Sequence, residues 1–72
     1  MQAREIRTWT TEDVQERLDE SCRELFALRR ELALGRLEDH NRIDVVKRDI
    51  ARMKTILRER ELAAELVEEA AR

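Results

Sequence analysis

The chain has no proline and no tyrosine among its 72 residues, and only one glycine, one cysteine, one tryptophan and one phenylalanine. Without proline, and with glycine confined to Gly35, nothing interrupts long helices except one point near the middle. A lone cysteine, Cys22, cannot close an intrachain disulfide, which argues against a secreted disulfide scaffold and for a reducing, cytoplasmic setting. No apolar run approaches the roughly 18 residues of a membrane span. The first seven residues, Met1 to Arg7, lack the apolar stretch of a signal peptide. With Trp9 and Phe26 as the only aromatics, stacking recognition of single-stranded bases has little material. One histidine, His40, and one cysteine leave no constellation for catalysis. Asp39 and His40 are neighbours in a turn, but no further ligand stands at metal spacing. No catalytic, cofactor, metal or small-molecule site is expected.

What the chain has in abundance is charge, at 44% of residues, with a net charge of only −2. The near-neutral sum conceals a division. Residues 1–35 carry 6 basic and 8 acidic groups, residues 36–58 carry 7 and 4, and residues 59–72 carry 2 and 5. A basic middle therefore adjoins an acidic tail.

The apolar residues set the fold class. Val14, Leu18, Ser21, Leu25, Leu28 and Leu32 recur at alternating spacings of four and three, the narrow seam of a helix packed along another helix. Thr10 is placed to cap this helix, with Asp13 reaching back as in a capping box and Trp9 and Val14 forming a hydrophobic staple. Gly35 is placed to end it, since glycine enters the left-handed conformation without a Cβ penalty, and Arg29 and Arg30 suit the negative end of the helix dipole. Asn41 is the expected cap of a second helix, whose seam runs through Ile43, Val46, Ile50, Met53 and Leu57 before it degrades at Arg60. Ala64 and Val67 follow in a segment of high helix propensity.

These spacings predict an all-α protein, an antiparallel two-helix hairpin with a coiled-coil-like seam and a short N-terminal segment. One domain, residues 1–72, holds a first helix over about 11–34, a turn at 35–41, a second helix over about 42–67 and an acidic helical tail at 59–72. A connection this short forces the helices antiparallel. The rod is expected to be about 36 Å long from 24 residues per helix at 1.5 Å each. It has little interior, so a partner surface is expected.

Cations crowd the second helix. Lys47, Arg48, Arg52, Lys54 and Arg58 fall away from its seam, and Arg36 and Arg42 extend them toward the turn. One meaning is a solvated face laced with pairs such as Asp44 to Arg48 and Asp44 to Lys47. The other is phosphate binding, in which guanidinium forks and mobile ammonium groups on a rigid row follow an RNA backbone by shape. Cys22, beside Ser21, reads as a small, partly buried side chain. Phe26 flanks the seam, where it covers Leu25 and Leu28 or anchors docking.

Specific strings narrow this choice. Glu24-Leu25-Phe26-Ala27-Leu28-Arg29, then Leu32-Ala33-Leu34-Gly35-Arg36-Leu37-Glu38, then Asn41-Arg42-Ile43 and Lys47-Arg48-Asp49-Ile50-Ala51-Arg52-Met53-Lys54-Thr55 resemble the family of large-subunit ribosomal protein twenty-nine, in order and without gaps. The resemblance covers roughly residues 3–60. It implies a structural, non-catalytic helical hairpin on the large ribosomal subunit. That hairpin contacts ribosomal RNA near the polypeptide exit tunnel and lies beside ribosomal protein twenty-three, where chaperones and targeting factors approach. Carried over by position, it makes Arg42, Lys47, Arg48, Arg52, Lys54 and Arg58 RNA-contact candidates. Arg36 joins them at a loop position where the family often has a neutral polar residue.

The acidic segment Glu59 to Arg72 departs from the basic character common in that family. Glu65, Glu68 and Glu69 are expected to face solvent or a neighbouring protein, because phosphate repels carboxylate. Apart from the resemblance, the seams alone equally permit a homo-oligomeric coiled-coil adaptor. An amphipathic membrane-surface helix would need a broader, aromatic-rich apolar face than these seams supply.

Overall fold

A computed structural model describes all 72 residues as three helices: α1, Ala3–Ile6; α2, Thr11–Ala33; and α3, Asn41–Ala70. The fold class is all-α as expected. α2 and α3 lie antiparallel along each other, and α1 packs on α3. The molecule is a rod of 56 × 19 × 15 Å. It exceeds the expected length because α3 continues to Ala70, well past the level at which α2 begins.

Each boundary has a local cause. At the start of α2 the backbone N–H of Asp13 donates to Thr10 Oγ1 at 3.1 Å, the cap expected of a threonine with extended backbone. The reciprocal bond from the Asp13 side chain is absent, since its carboxylate is one carbon shorter than the glutamate that normally makes it. At the end of α2, Gly35 has φ +70, the chain's only positive φ. Its N–H donates to Leu32 O at 3.0 Å, and the N–H of Arg36 donates to Glu31 O at 2.8 Å. Together these bonds form a Schellman motif that satisfies carbonyls left open by the helix end.

The start of α3 differs from the sequence expectation. Asn41 is already helical, so its side chain is not the cap. The Asp39 carboxylate, two residues upstream, accepts the Asn41 N–H at 3.0 Å and places negative charge at the positive end of α3.

Ile6, Val14, Leu18, Val46, Ile50, Met53 and Ile56 form the buried core, with Ala3, Trp9, Leu25, Leu28 and Leu57 packed against it. Two members lie outside the seams read from periodicity. Ile6 comes from α1, and Ile56 lies on the side of α3 that α1 covers. The N-terminal segment thus forms a short third layer over one end of the hairpin. Toward the turn the seam opens, and Leu32 is 44% exposed.

Arg60 holds this third layer in place. It sits where the seam of α3 was expected to degrade, and it is instead a clamp. Its guanidinium donates to Trp9 O at 2.8 Å, Thr11 Oγ1 at 3.1 Å and Arg7 O at 3.4 Å, tying α3 to the link between α1 and α2. Arg17 stacks over the Trp9 ring at 5.0 Å and covers the same link from outside. An ion pair between the amino terminus and Asp49, 3.9 Å, fastens the other end of the segment.

Two substitutions test this account by thermal and urea unfolding. Gly35→Ala meets nothing within 4 Å of the added Cβ, so its cost is conformational alone. It should destabilise by about 1–2 kcal/mol, and Gly35→Asn by less. Arg60→Met keeps the aliphatic stem but leaves the carbonyls unpartnered, and should cost about 1–3 kcal/mol.

A candidate nucleic-acid interface

The rod has two unlike sides, and helix register explains why. With Ile43 and Leu25 as a positions, the residues flanking the seam are Arg42, Asp49 and Ile56 on one side of α3 and Lys47 and Lys54 on the other. On α2 the corresponding flanks are Arg17, Glu24 and Glu31, and Gln15, Cys22 and Arg29. In an antiparallel pair the g flanks of both helices share one side and the e flanks share the other.

The Arg42 guanidinium fixes this geometry. Its Nε and Nη2 donate to Glu24 Oε1 at 2.9 and 2.6 Å, joining the g flanks. α1 lies on this side too, where the amino terminus meets Asp49. Arg7 approaches Glu59 at 3.7 Å. Arg42 is thus engaged within the protein and lies across the seam from Lys47 and Lys54. Arg42 therefore does not extend the row of Lys47 and Lys54 toward the turn, as its place in the sequence suggested.

The e side is uncovered. Lys47, Lys54 and Arg58 follow one another on α3 at spacings of seven and four, and Cys22, Phe26, Arg29 and Ala33 form a matching stripe on α2. Phe26 is 70% exposed, which leaves it to anchor docking rather than cover the seam, and Cys22 is exposed too, so its expected partial burial is corrected. Both stay exposed because a two-helix rod supplies no third helix on this side.

Ion pairing separates the seven candidates further. Lys47, Arg48, Lys54 and Arg36 reach no carboxylate at salt-bridge distance. Arg52 pairs with Asp49 at 3.6 Å and Arg58 with Glu61 at 3.1 Å. The Asp44 pairs with Arg48 and Lys47, which a merely solvated face would favour, do not form. Arg48 and Arg52 project from the back of α3, and Arg36 projects from the turn beyond Gly35. Arg29, on the same side of α2, stands outside the expected set because its place near a helix C-terminus already accounts for it. The same seven-residue register that identifies Lys47 would have identified it.

From Lys47 to Arg58 the row spans about 16 Å at 1.5 Å per residue, on a helix that cannot bend to follow a ligand. Its ammonium groups are donors only. Such a row suits anionic oxygens presented at fixed spacing, which is the backbone of folded RNA. The hollows on the surface are open; the one beside Trp9 is bordered by Asp13, Glu16, Arg17 and Glu20, a set that fits no anion. No cluster of His, Cys, Asp or Glu could hold a metal ion, and no helix is long and apolar enough to cross a membrane.

Comparison with known proteins gives the same direction. The sequence model of the family described as ribosomal L29 protein matches residues 4–60. The large ribosomal subunit protein uL29 of Geobacillus stearothermophilus is 55% identical over 64 residues, covering 89% of this chain and 97% of that protein. Proteins of the same name from Finegoldia magna and Thermotoga maritima are 53% and 52% identical over 62 residues. Each alignment covers 86% of this chain, with 91% and 94% of the respective relatives.

The pairing pattern makes a stability prediction that separates the two sides. Arg42→Ala should lower the unfolding free energy by up to about 1 kcal/mol, as for a half-exposed ion pair. Lys47→Ala, Arg48→Ala and Lys54→Ala should each change it by less than about 0.5 kcal/mol. Circular dichroism melts of the four variants measure both.

Proposed function

The chain belongs to the ribosomal L29 protein family, and we propose that it is a structural, non-catalytic constituent of the large ribosomal subunit, docked on ribosomal RNA through its uncovered cationic side. The observation that carries this reading is the row Lys47, Lys54 and Arg58 with Arg29 beside it, of which Lys47 and Lys54 have no carboxylate partner. Cations without an internal partner on a rigid helix are free to replace the counterions of an RNA backbone. Arg48 and Arg36 supply further contacts at the back of α3 and at the turn.

Arg52 and Arg58 can exchange their exposed intrahelical partners for phosphate, because such surface pairs are weak. Arg42 would have to leave a doubly hydrogen-bonded carboxylate, so it is the least suited of the seven. Phe26, exposed on the same side, offers a flat apolar face to a sugar or an unpaired base.

The subunit places the protein in the cytoplasm, as part of the ribosome. Within the subunit, we assign it by family resemblance to the polypeptide exit tunnel beside ribosomal protein twenty-three. Chaperones and targeting factors approach there. Its mechanism is mechanical and electrostatic: a stiff rod neutralises phosphates, stabilises the RNA fold beneath it and contributes its outer face to the exit surface.

Sucrose-gradient sedimentation of cell extract tests this reading. The chain should migrate with the large subunit at low salt and be released by a high-salt wash. With purified chain and ribosomal RNA, Lys47→Ala and Lys54→Ala together should weaken binding and reduce the slope of log affinity against log salt by about 1 per lost contact. Migration at the top of the gradient in both conditions would favour the homo-oligomeric adaptor instead.

A further inference from the structure

The end of α3 has no companion within the chain. Arg60 bonds to Thr11, the first residue of α2, so α3 passes beyond its neighbour there. Every residue from Glu61 to Arg72 is exposed. The helical part, to Ala70, projects about 15 Å. The family model, which matches residues 4–60, does not reach it.

This projecting helix is two-faced. Leu62, Ala63, Leu66 and Ala70 lie together on one face with Val67 at its edge, while Glu61, Glu65, Glu68 and Glu69 lie together on another. Leu66 is 66% and Val67 70% exposed. The apolar face is not a continuation of the seam. At 100° per residue, Leu62, Leu66 and Ala70 point away from the side that Val46, Ile50, Met53 and Leu57 present to α2. A longer α2 would therefore leave it bare.

We propose that this segment docks a neighbouring protein in the same particle, one that presents an apolar stripe or groove rimmed by lysine and arginine. Charge complementarity selects that occupant. The acidic face adjoins one edge of the apolar face, with Glu69 and Glu65 nearest to Leu62, and Arg72 is the only cation beyond Arg60. RNA phosphates and anionic lipid are repelled by this rim. A second copy docking by its own tail brings like charge, and its cationic side is the one assigned above to RNA. A three-turn helix face is smaller than a standard interface and binds weakly alone. Anchoring of the rod to RNA supplies the effective concentration that makes such a contact productive. To that extent the proposal rests on the ribosomal placement.

The test places a photo-reactive residue at the apolar face, Leu66→p-benzoylphenylalanine, in the full chain within isolated large subunits. A parallel chain carries it at Glu68, on the acidic face. Irradiation should join Leu66 to a protein, and sequencing of the joined peptide should show an apolar segment carrying lysine or arginine. The yield from Glu68 should be at least five-fold lower. Adding Leu62→Asp, or Glu61→Lys with Glu65→Lys, should reduce the Leu66 yield at least five-fold while the chain still sediments with the subunit and keeps its helical circular dichroism.

Cross-linking to RNA, to a second copy or to an acidic segment would overturn the proposal. So would no cross-link, or a yield unchanged by the added substitutions. Failure of the chain to sediment with the subunit removes the ribosomal placement and this proposal with it. Sedimentation without the cross-link sinks this proposal alone.

Discussion

Two cylinders laid side by side share one line of contact, so α2 and α3 can exclude water only along the strip that contains Val14, Leu18, Val46, Ile50 and Met53. The rest of the molecule follows from the narrowness of that strip. Helix faces turned outward must be charged or find an external partner, which accounts for the high charge content and for Phe26 standing exposed. The one internal remedy is α1. By packing on α3 and burying Ile6 in the core it adds a third layer over one end of the rod, and the core gathers there while the turn end stays open.

Covering one side leaves the other free. On the g side, Arg42 is bound to Glu24 and the amino terminus approaches Asp49. On the e side, Lys47 and Lys54 have no such neighbour. The asymmetry is therefore built by the fold itself: the cations that lie near α1 and the acidic flank of α2 complete the protein, and those on the bare side are available to a ligand. A net charge of −2 conceals this, because the sum does not record which charges are already paired.

Periodic and local features could be read directly from the sequence. The two seams, the Thr10 cap and the left-handed Gly35 depend on residues within one or two helical turns of each other, and the order of residues carries that information. The features that escaped depend on distant or competing partners. Ile6 and Ile56 belong to the core because α1 folds onto α3. Arg60 acts on carbonyls about fifty positions away, and no spacing rule marks a side chain that bonds to backbone. Asp39 and Asn41 are both good caps, and only the backbone path decided between them. Among the site candidates, the row at Lys47 and Lys54 could be read from heptad position. The engagement of Arg42 with Glu24 needed the relative placement of two helices.

The Arg60 clamp also bears on when the molecule can become complete. It joins Arg60 to Arg7 and Trp9 across 53 and 51 positions of chain, and the amino terminus reaches Asp49 over a comparable stretch. A helical protein ordinarily assembles from neighbouring turns and can begin while it is still being synthesised. Here the first seven residues have little to settle against until most of α3 has been made. The beginning of this polypeptide is thus among the last parts to find its place.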